Sequence, residues 1–291
     1  MTNATPGRSK LVFFGTFPLA EEVLNALEVA GLTPQLIVAG KDRLDRKKNV
    51  IPSPEKAWAL ARDIPVLQPE KIDDAFLSEL QKDSWDAFVV ASYGKILPQA
   101  LLDIPKFGTI NLHPSLLPKL RGPSPIRSAI LNDEKEVGVS IMILDDKMDH
   151  GPLIGQKEVS VPEWPPKGTE LDALLAREGA ELLAEVLPRY FSGEITPQEQ
   201  DHSEATYCKI FLKEEGEIDL KADAYHNLLK IRAFDGWPGT FAFFDRNGEK
   251  LRVVIIDAHI ENGKLVLETV KPEGKPAMSY KDFLNSGARP L

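Results

Sequence analysis

Short apolar runs alternate with longer amphipathic stretches through the first two-thirds of the chain. KLVFFG (10–15), QLIVAG (35–40), FVVAS (88–92), GTINLH (108–113) and GVSIMIL (138–144) are strand-length and mostly apolar. Such runs read as strands buried on both faces. Between them, PLAEEVLNALEVAG (18–31), SPEKAWALARD (53–63), 70–82 and 124–132 read as helices, with Pro54 in a first turn where a missing N–H costs little. This alternation predicts an α/β fold with a mainly parallel sheet covered on both faces, whose ligands bind outside the carboxyl ends of the strands. A helix over 169–193, with Thr169 as its cap and Gly193 after its end, closes this part of the chain. Residues 194–206 are polar and contain Pro197, as a linker would. Beyond them the pattern changes. GTFAFF (239–244), KLRVVIID (250–257) and KLVLETV (264–270) read as short strands divided by the turn signals DRNGE and ENGK, with one helix near 222–234. The expected organisation is a first domain over 1–193, a linker over 194–206 and a small antiparallel β-barrel over 207–291.

A chain of 291 residues can hold two cores, and 43% hydrophobic with 27% charged residues fits ordinary globular domains. No apolar run nears the roughly 18 residues of a membrane span, and Met1 to Lys10 lacks the apolar centre of a signal peptide. A reducing, cytoplasmic setting is expected. The single cysteine, Cys208, excludes an internal disulfide and a cysteine-clustered zinc site. A net charge of −9 argues against a globally basic nucleic-acid surface but allows a local patch. KDRLDRKK (41–48), five of whose eight residues are basic, is either a solvated loop or a contact for a phosphate backbone.

The polar residues at the strand ends carry the candidate chemistry. Asn111 and His113 lie two apart at the end of one strand, so their side chains share a face. DDKMDHG (145–151) follows another strand and offers Asp145, Asp146 and Asp149. An amide donor, an imidazole and a carboxylate around one cavity suit acyl transfer to an amine: the amide can donate to an oxyanion, the imidazole can stabilise that charge or move a proton, and the carboxylate can fix the imidazole's orientation or take the amine proton through water. Each residue has a plainer role open to it. His113 can be structural, His150 competes for the same carboxylates, and the aspartates can be turn residues. No metal-ligand spacing, Gly-rich dinucleotide loop, phosphate-binding loop or nucleophile elbow is present. The residues alone lead to an α/β enzyme with a polar site at its strand ends.

NLHPSLLPKLRGPSPI (111–126) resembles the signature of the folate-dependent formyltransferases, and GVSIMILDDKMDHGPLI (138–154) resembles their second motif. The resemblance implies a Rossmann-like catalytic domain followed by a small OB-like β-barrel. It implies Asn111, His113 and Asp149 as the catalytic set, with no metal, and Ser115, Leu116, Leu117 and Pro118 as tetrahydrofolate contacts. SYGKILP (92–98) is similar to the loop lining the pterin pocket, which adds Tyr93, Gly94, Ile96 and Leu97. Within the family, IRAFDGWPGTF (231–241) and VKPEGKPAMSYKDFLNSGARP (270–290) resemble the branch that acts on methionyl-tRNA. Residues 41–56 are similar to that branch's basic loop for the acceptor stem, through Lys41, Arg43, Arg46, Lys47 and Lys48. The implied reaction moves the formyl group of 10-formyltetrahydrofolate onto the α-amine of methionyl-initiator tRNA, and a monomer is expected. Some positions depart from the family pattern: Asp45 stands beside Arg46 where glycines are usual, Lys147 precedes the catalytic aspartate by two, and GTFPLA (15–20) replaces Gly-Thr-Pro. Trp237 is expected to be a core aromatic beside a turn, and Arg232 a buried ion-pair partner.

Overall fold

The computed structural model describes residues 9–16, 19–44 and 48–291. The chain forms two compact units that are not contiguous in sequence. One gathers the residues up to Arg121 with Gly138–Val159 and Ala173–Tyr207; the other gathers Gly122–Val137, Ser160–Asp172 and Cys208–Leu291.

The first unit is built on strands β1 (Leu11–Gly15), β2 (Leu36–Ala39), β5 (Val66–Leu67), β6 (Ala87–Ala91), β7 (Thr109–His113), β8 (Val137–Ile143) and β9 (Leu153–Val159). Strands β3 (Arg43–Leu44) and β4 (Val50–Ile51) form a separate hairpin. The main sheet runs in the order β5-β2-β1-β6-β7-β8-β9. Its pairings are parallel from β5 to β7, and β8 joins β7 antiparallel. This is the mainly parallel sheet that the alternation of strands and helices implies.

Alternation along each strand divides the core in two. Leu11, Phe13, Ile37, Val89, Ile110 and Leu112 face a layer containing Leu24, Leu27, Trp58, Ala180 and Leu183. Val12, Phe14, Val38, Phe88 and Val90 face Phe76, Leu80, Leu101 and Leu102 on the other side. With both faces covered, a strand has no polar side, which is why these segments read as continuous apolar runs. Strand β9 lacked that signal because GQKE (155–158) interrupts its apolar ends and its middle residues are exposed.

The second unit holds β10 (Thr240–Arg246), β11 (Glu249–Glu261), β12 (Lys264–Pro272), β13 (Met278–Ser279) and β14 (Arg289–Pro290), paired antiparallel in the order β13-β12-β11-β10-β14. Both long hairpins close through Asn-Gly pairs with positive φ, Asn247–Gly248 and Asn262–Gly263. That is the two-residue turn whose twist matches the flanking strands. Irregular pairing around Asp257 bends β11, which lets a strand of 13 residues stay wrapped on Phe244, Val270 and Phe283. Among the described residues no helix is long and apolar enough to cross a membrane.

Candidate active site

Strand β7 places Asn111 and His113 on one face by the same alternation that buries Ile110 and Leu112 on the other. Asn111 is paired with Val90 of β6, so its side chain shares the face carrying Val90 and Phe14. Tyr93, Leu97 and Leu144 pack against that same cluster. The loop after β6 therefore walls the surface from which Asn111 and His113 project.

Asp149 arrives by a different route from the one its sequence position suggests. The β7–β8 register pairs Ile110 with Ile143 and His113 with Ser140. Because β8 runs antiparallel, the segment after Ile143 starts level with Ile110, away from the carboxyl end of β7. It folds back, and Asp149 takes a positive φ of 48° to do so. Gly151 permits the close return, since a Cβ there would lie 2.0 Å from the Ile143 carbonyl oxygen. A site at strand carboxyl ends holds for His113 and for the loop after β6; Asp149 reaches it along the sheet.

His113 is 4% exposed, and its ring is held through one nitrogen. Nε2 lies 3.0 Å from the Leu120 carbonyl oxygen. A carbonyl only accepts, so Nε2 carries the hydrogen. Nδ1 faces Asp149 Oδ1 at 3.7 Å. That separation exceeds a hydrogen bond but lies within ion-pair reach. In neutral His113, Nδ1 is thus an unprotonated acceptor directed at a carboxylate, and a proton entering there gains an adjacent negative charge.

The PSLLP turn is tied down from within. Ser115 donates its hydroxyl to the Lys119 carbonyl, and Leu117 is buried. Ser140, the register partner of His113, donates to the Ser115 carbonyl and accepts from the Leu117 N–H and from Gln156 Nε2. Leu116 and Pro118 remain half-buried. In the loop after β6, Thr16 donates to the Ser92 carbonyl and Lys95 to the carbonyls of Pro69 and Glu70. Tyr93 stacks edge-on against Phe14 at 5.6 Å. Its buried hydroxyl has no hydrogen-bond partner among the described residues, and burial pushes it up to about 12. Gly94 and Ile96 are exposed, Ile96 at 93%.

Comparison with known proteins decides the family. Residues 9–187 match the family model described as formyl transferase, and residues 211–264 match formyl transferase, C-terminal domain. A methionyl-tRNA formyltransferase of Chloroflexus aurantiacus is 43% identical over 247 residues, covering 84% of this chain and 79% of its own. That of Dictyoglomus thermophilum is 36% identical over 307 residues, covering 95% and 96%. The chain belongs to the methionyl-tRNA formyltransferase family.

Among solved structures, the methionyl-tRNA formyltransferase from Clostridium thermocellum superposes with a TM-score of 0.59 at 16% identity, covering 90% of this chain and 98% of that one. A sugar N-formyltransferase from Shewanella gives 0.64 at 19%, covering 91% and 100%. At such identities the likeness is one of fold, shared across formyltransferases of different acceptors.

In this member of the methionyl-tRNA formyltransferase family, Arg43 of the basic segment 41–48 lies in β3. Arg43 and Lys48 are exposed, and Lys41 pairs with Glu70 at 2.7 Å; Arg46 and Lys47 lie outside the described residues. Lys147, which departs from the family pattern, is exposed and donates its N–H to Asp145. Trp237 is 49% exposed and is not the core aromatic expected. The burial there belongs instead to its neighbours Ala233 and Phe234, on the apolar side of the preceding helix. Arg232 forms an ion pair with Asp257 at 3.5 Å, but both are half-buried rather than buried.

Several residues around the site carried no signal that a reading of motifs could use. Leu120 meets His113 through a backbone carbonyl, and Ser140 reads as one small residue in an apolar strand. Gln200 sits in the polar stretch 194–206 taken for a linker, yet it is buried and donates to the carbonyls of Asp149 and Gly151. His150 is engaged by Asp145 at 2.6 Å and stacks on His202, which removes it from competition for Asp149.

Proposed function

We propose that this chain transfers the formyl group of 10-formyltetrahydrofolate to the α-amine of methionyl-initiator tRNA, acting as a monomer in the cytoplasm. The observation that carries this reading is its 36% identity, across 95% of the chain, to an enzyme of that name. The match runs through both the catalytic motifs and the C-terminal strands, whereas likeness of fold alone extends equally to sugar formyltransferases.

The folate donor supplies an activated formyl carbon; everything else falls to the chain. Asn111 donates its amide hydrogen to the oxyanion that develops on the formyl oxygen. His113 takes the proton from the attacking amine at Nδ1, the nitrogen left open by the bond from Nε2 to Leu120. Asp149 holds the resulting imidazolium by its charge. As the oxyanion collapses, the bond between the formyl carbon and N10 of the folate breaks, and the imidazolium returns its proton to that leaving nitrogen. Tyr93, Gly94, Ile96, Leu97 and the turn Ser115–Pro118 form the folate wall, and the buried unpartnered hydroxyl of Tyr93 offers a polar ligand a donor. Because Ser115 and Leu117 are turned inward, Leu116, Pro118 and backbone groups make the contacts on that side. Residues 1–193 carry the chemistry. Residues 207–291, with the basic positions Lys41, Arg43, Arg46, Lys47 and Lys48, receive the tRNA.

The test offers labelled 10-formyltetrahydrofolate with methionyl-initiator tRNA, glycinamide ribonucleotide or an amino-sugar nucleotide as acceptor. Label on the tRNA is the expected result. Label appearing only on a small acceptor overturns the assignment.

A further inference from the structure

We infer that Arg121 and Gln200 are positioning residues that set the His113–Asp149 pair, acting on its two halves at once. The inference rests on the catalytic reading of that pair given above. Arg121 is 1% exposed, and its guanidinium donates through Nε at 3.2 Å and Nη2 at 2.7 Å to one atom, Gln200 Oε1. Nη2 also meets His202 Nδ1 at 2.9 Å, and Nη1 lies 3.4 Å from the Tyr207 hydroxyl. A guanidinium has no acceptor, so the amide of Gln200 has one allowed orientation: oxygen toward Arg121, nitrogen away. The nitrogen then donates to the carbonyls of Asp149 at 3.0 Å and Gly151 at 2.7 Å. The positive charge of Arg121 at Oε1 polarises the amide and strengthens those two bonds.

Those carbonyls flank the backbone that turns Asp149 toward His113. Asp149 holds a φ of 48°, a region unfavourable to a residue with a Cβ and kept only where surrounding contacts fix it. Gln200 supplies two such contacts from a segment remote in sequence. The same segment fixes the other half. Leu120, whose carbonyl accepts from His113, also has a positive φ of 56°. Its N–H donates to Thr206 Oγ1 at 2.8 Å, and the N–H of Arg121 donates to the Thr206 carbonyl at 2.9 Å. Residues 200–206 therefore strap the loop behind His113 to the loop beneath Asp149, with the Arg121–Gln200 contact as the cross-member. A lateral shift of this strap changes the 3.7 Å separation on which the proton transfer depends.

Gln200→Glu tests this. The carboxylate retains Arg121 as a partner but replaces the amide donor with an oxygen facing two carbonyls. We expect kcat to fall on the order of 100-fold, the cost of misplacing a catalytic group by about 1 Å. KM for both substrates stays within about twofold, because transition-state positioning is what is lost; the melting temperature falls, since two carbonyls lose their buried donor, and turnover is therefore read well below it. In an Asp149→Asn background the same change costs less than about threefold, since coupled residues do not add. Should Gln200→Glu fail to fold, Gln200→Asn, uncharged and one methylene short, is read in the same way. Normal kcat in the single variant, or full additivity in the double, overturns the strap. Near-normal turnover by Asp149→Asn alone overturns the catalytic reading instead, so the two failures are told apart.

Discussion

His113 Nδ1 and Asp149 Oδ1 stand 3.7 Å apart although the segment bearing Asp149 leaves the sheet level with Ile110. The approach depends on the antiparallel direction of β8 and on the fold-back of 144–151. It leaves the two groups close enough to share charge while the Leu120 carbonyl fixes which ring nitrogen stays open.

Removing the amide donor by Asn111→Ala should lower turnover roughly 100- to 1,000-fold, the cost of one oxyanion donor. His113→Ala and Asp149→Ala should each cripple turnover too, with circular dichroism melts close to the parent. Formyl transfer measured under single-turnover conditions isolates the chemical step. A His113→Ala enzyme working at near-parent rates would remove His113 from the mechanism.

Ser140→Ala should destabilise the first unit without touching a reacting atom. Ser140 is fully buried, and its loss leaves the Ser115 carbonyl, the Leu117 N–H and one bond of Gln156 unanswered. Buried polar groups stranded in this way cost about 1–3 kcal/mol. Urea unfolding should show a lower midpoint at unchanged slope. An unaltered midpoint means that the turn is held by other contacts.

Replacing Arg43, Arg46, Lys47 and Lys48 by Gln should weaken tRNA binding and flatten its dependence on salt. Each lost phosphate contact lowers the slope of log K against log[salt] by about 0.9 on duplex and 0.7 on single strands. Folate affinity should barely change. The same slope in the variant as in the parent would reduce the hairpin to a solvated face.

In the second unit, Asp257 lies 2.9 Å from Lys167 Nζ and 3.5 Å from Arg232 Nη1. Burial pushes this carboxyl up, but the Lys167 hydrogen bond and the charges of Lys167 and Arg232 together outweigh it, so Asp257 titrates below the usual carboxylate value. A depressed value means that folding favours the charged form. Its stabilisation is complete above the unfolded value of about 3.9 and disappears as pH falls through the lower folded value. Asp257→Asn should therefore cost roughly 1 kcal/mol at neutral pH for a partly exposed pair. Denaturation of parent and variant should converge in acid below the folded value; a gap that persists there contradicts the assignment.

Local pattern alone was enough for much of this protein. Apolar runs marked the buried strands, period-two alternation put Asn111 and His113 on one face, and NG dipeptides marked both long hairpin turns. These are short-range properties, set by pleat geometry and by backbone conformations that only certain residues tolerate. The motif NLHPSLLP and the C-terminal segments likewise pointed to the family that the comparisons show.

Only the tertiary structure decided what depends on direction and distant contact. An apolar strand reads the same whichever way it runs, so nothing in GVSIMIL said that β8 lies antiparallel and sends Asp149 back along the sheet. The polar stretch 194–206 has a linker's composition, yet Gln200 lies buried against Arg121, 79 residues earlier in the chain. Nor could contiguous blocks show that Gly122–Val137 and Ser160–Asp172 cluster with the C-terminal residues. Periodicity reports which face a residue occupies. What that face meets is settled by packing and by the need of every buried donor and acceptor to find a partner, however far along the chain it lies.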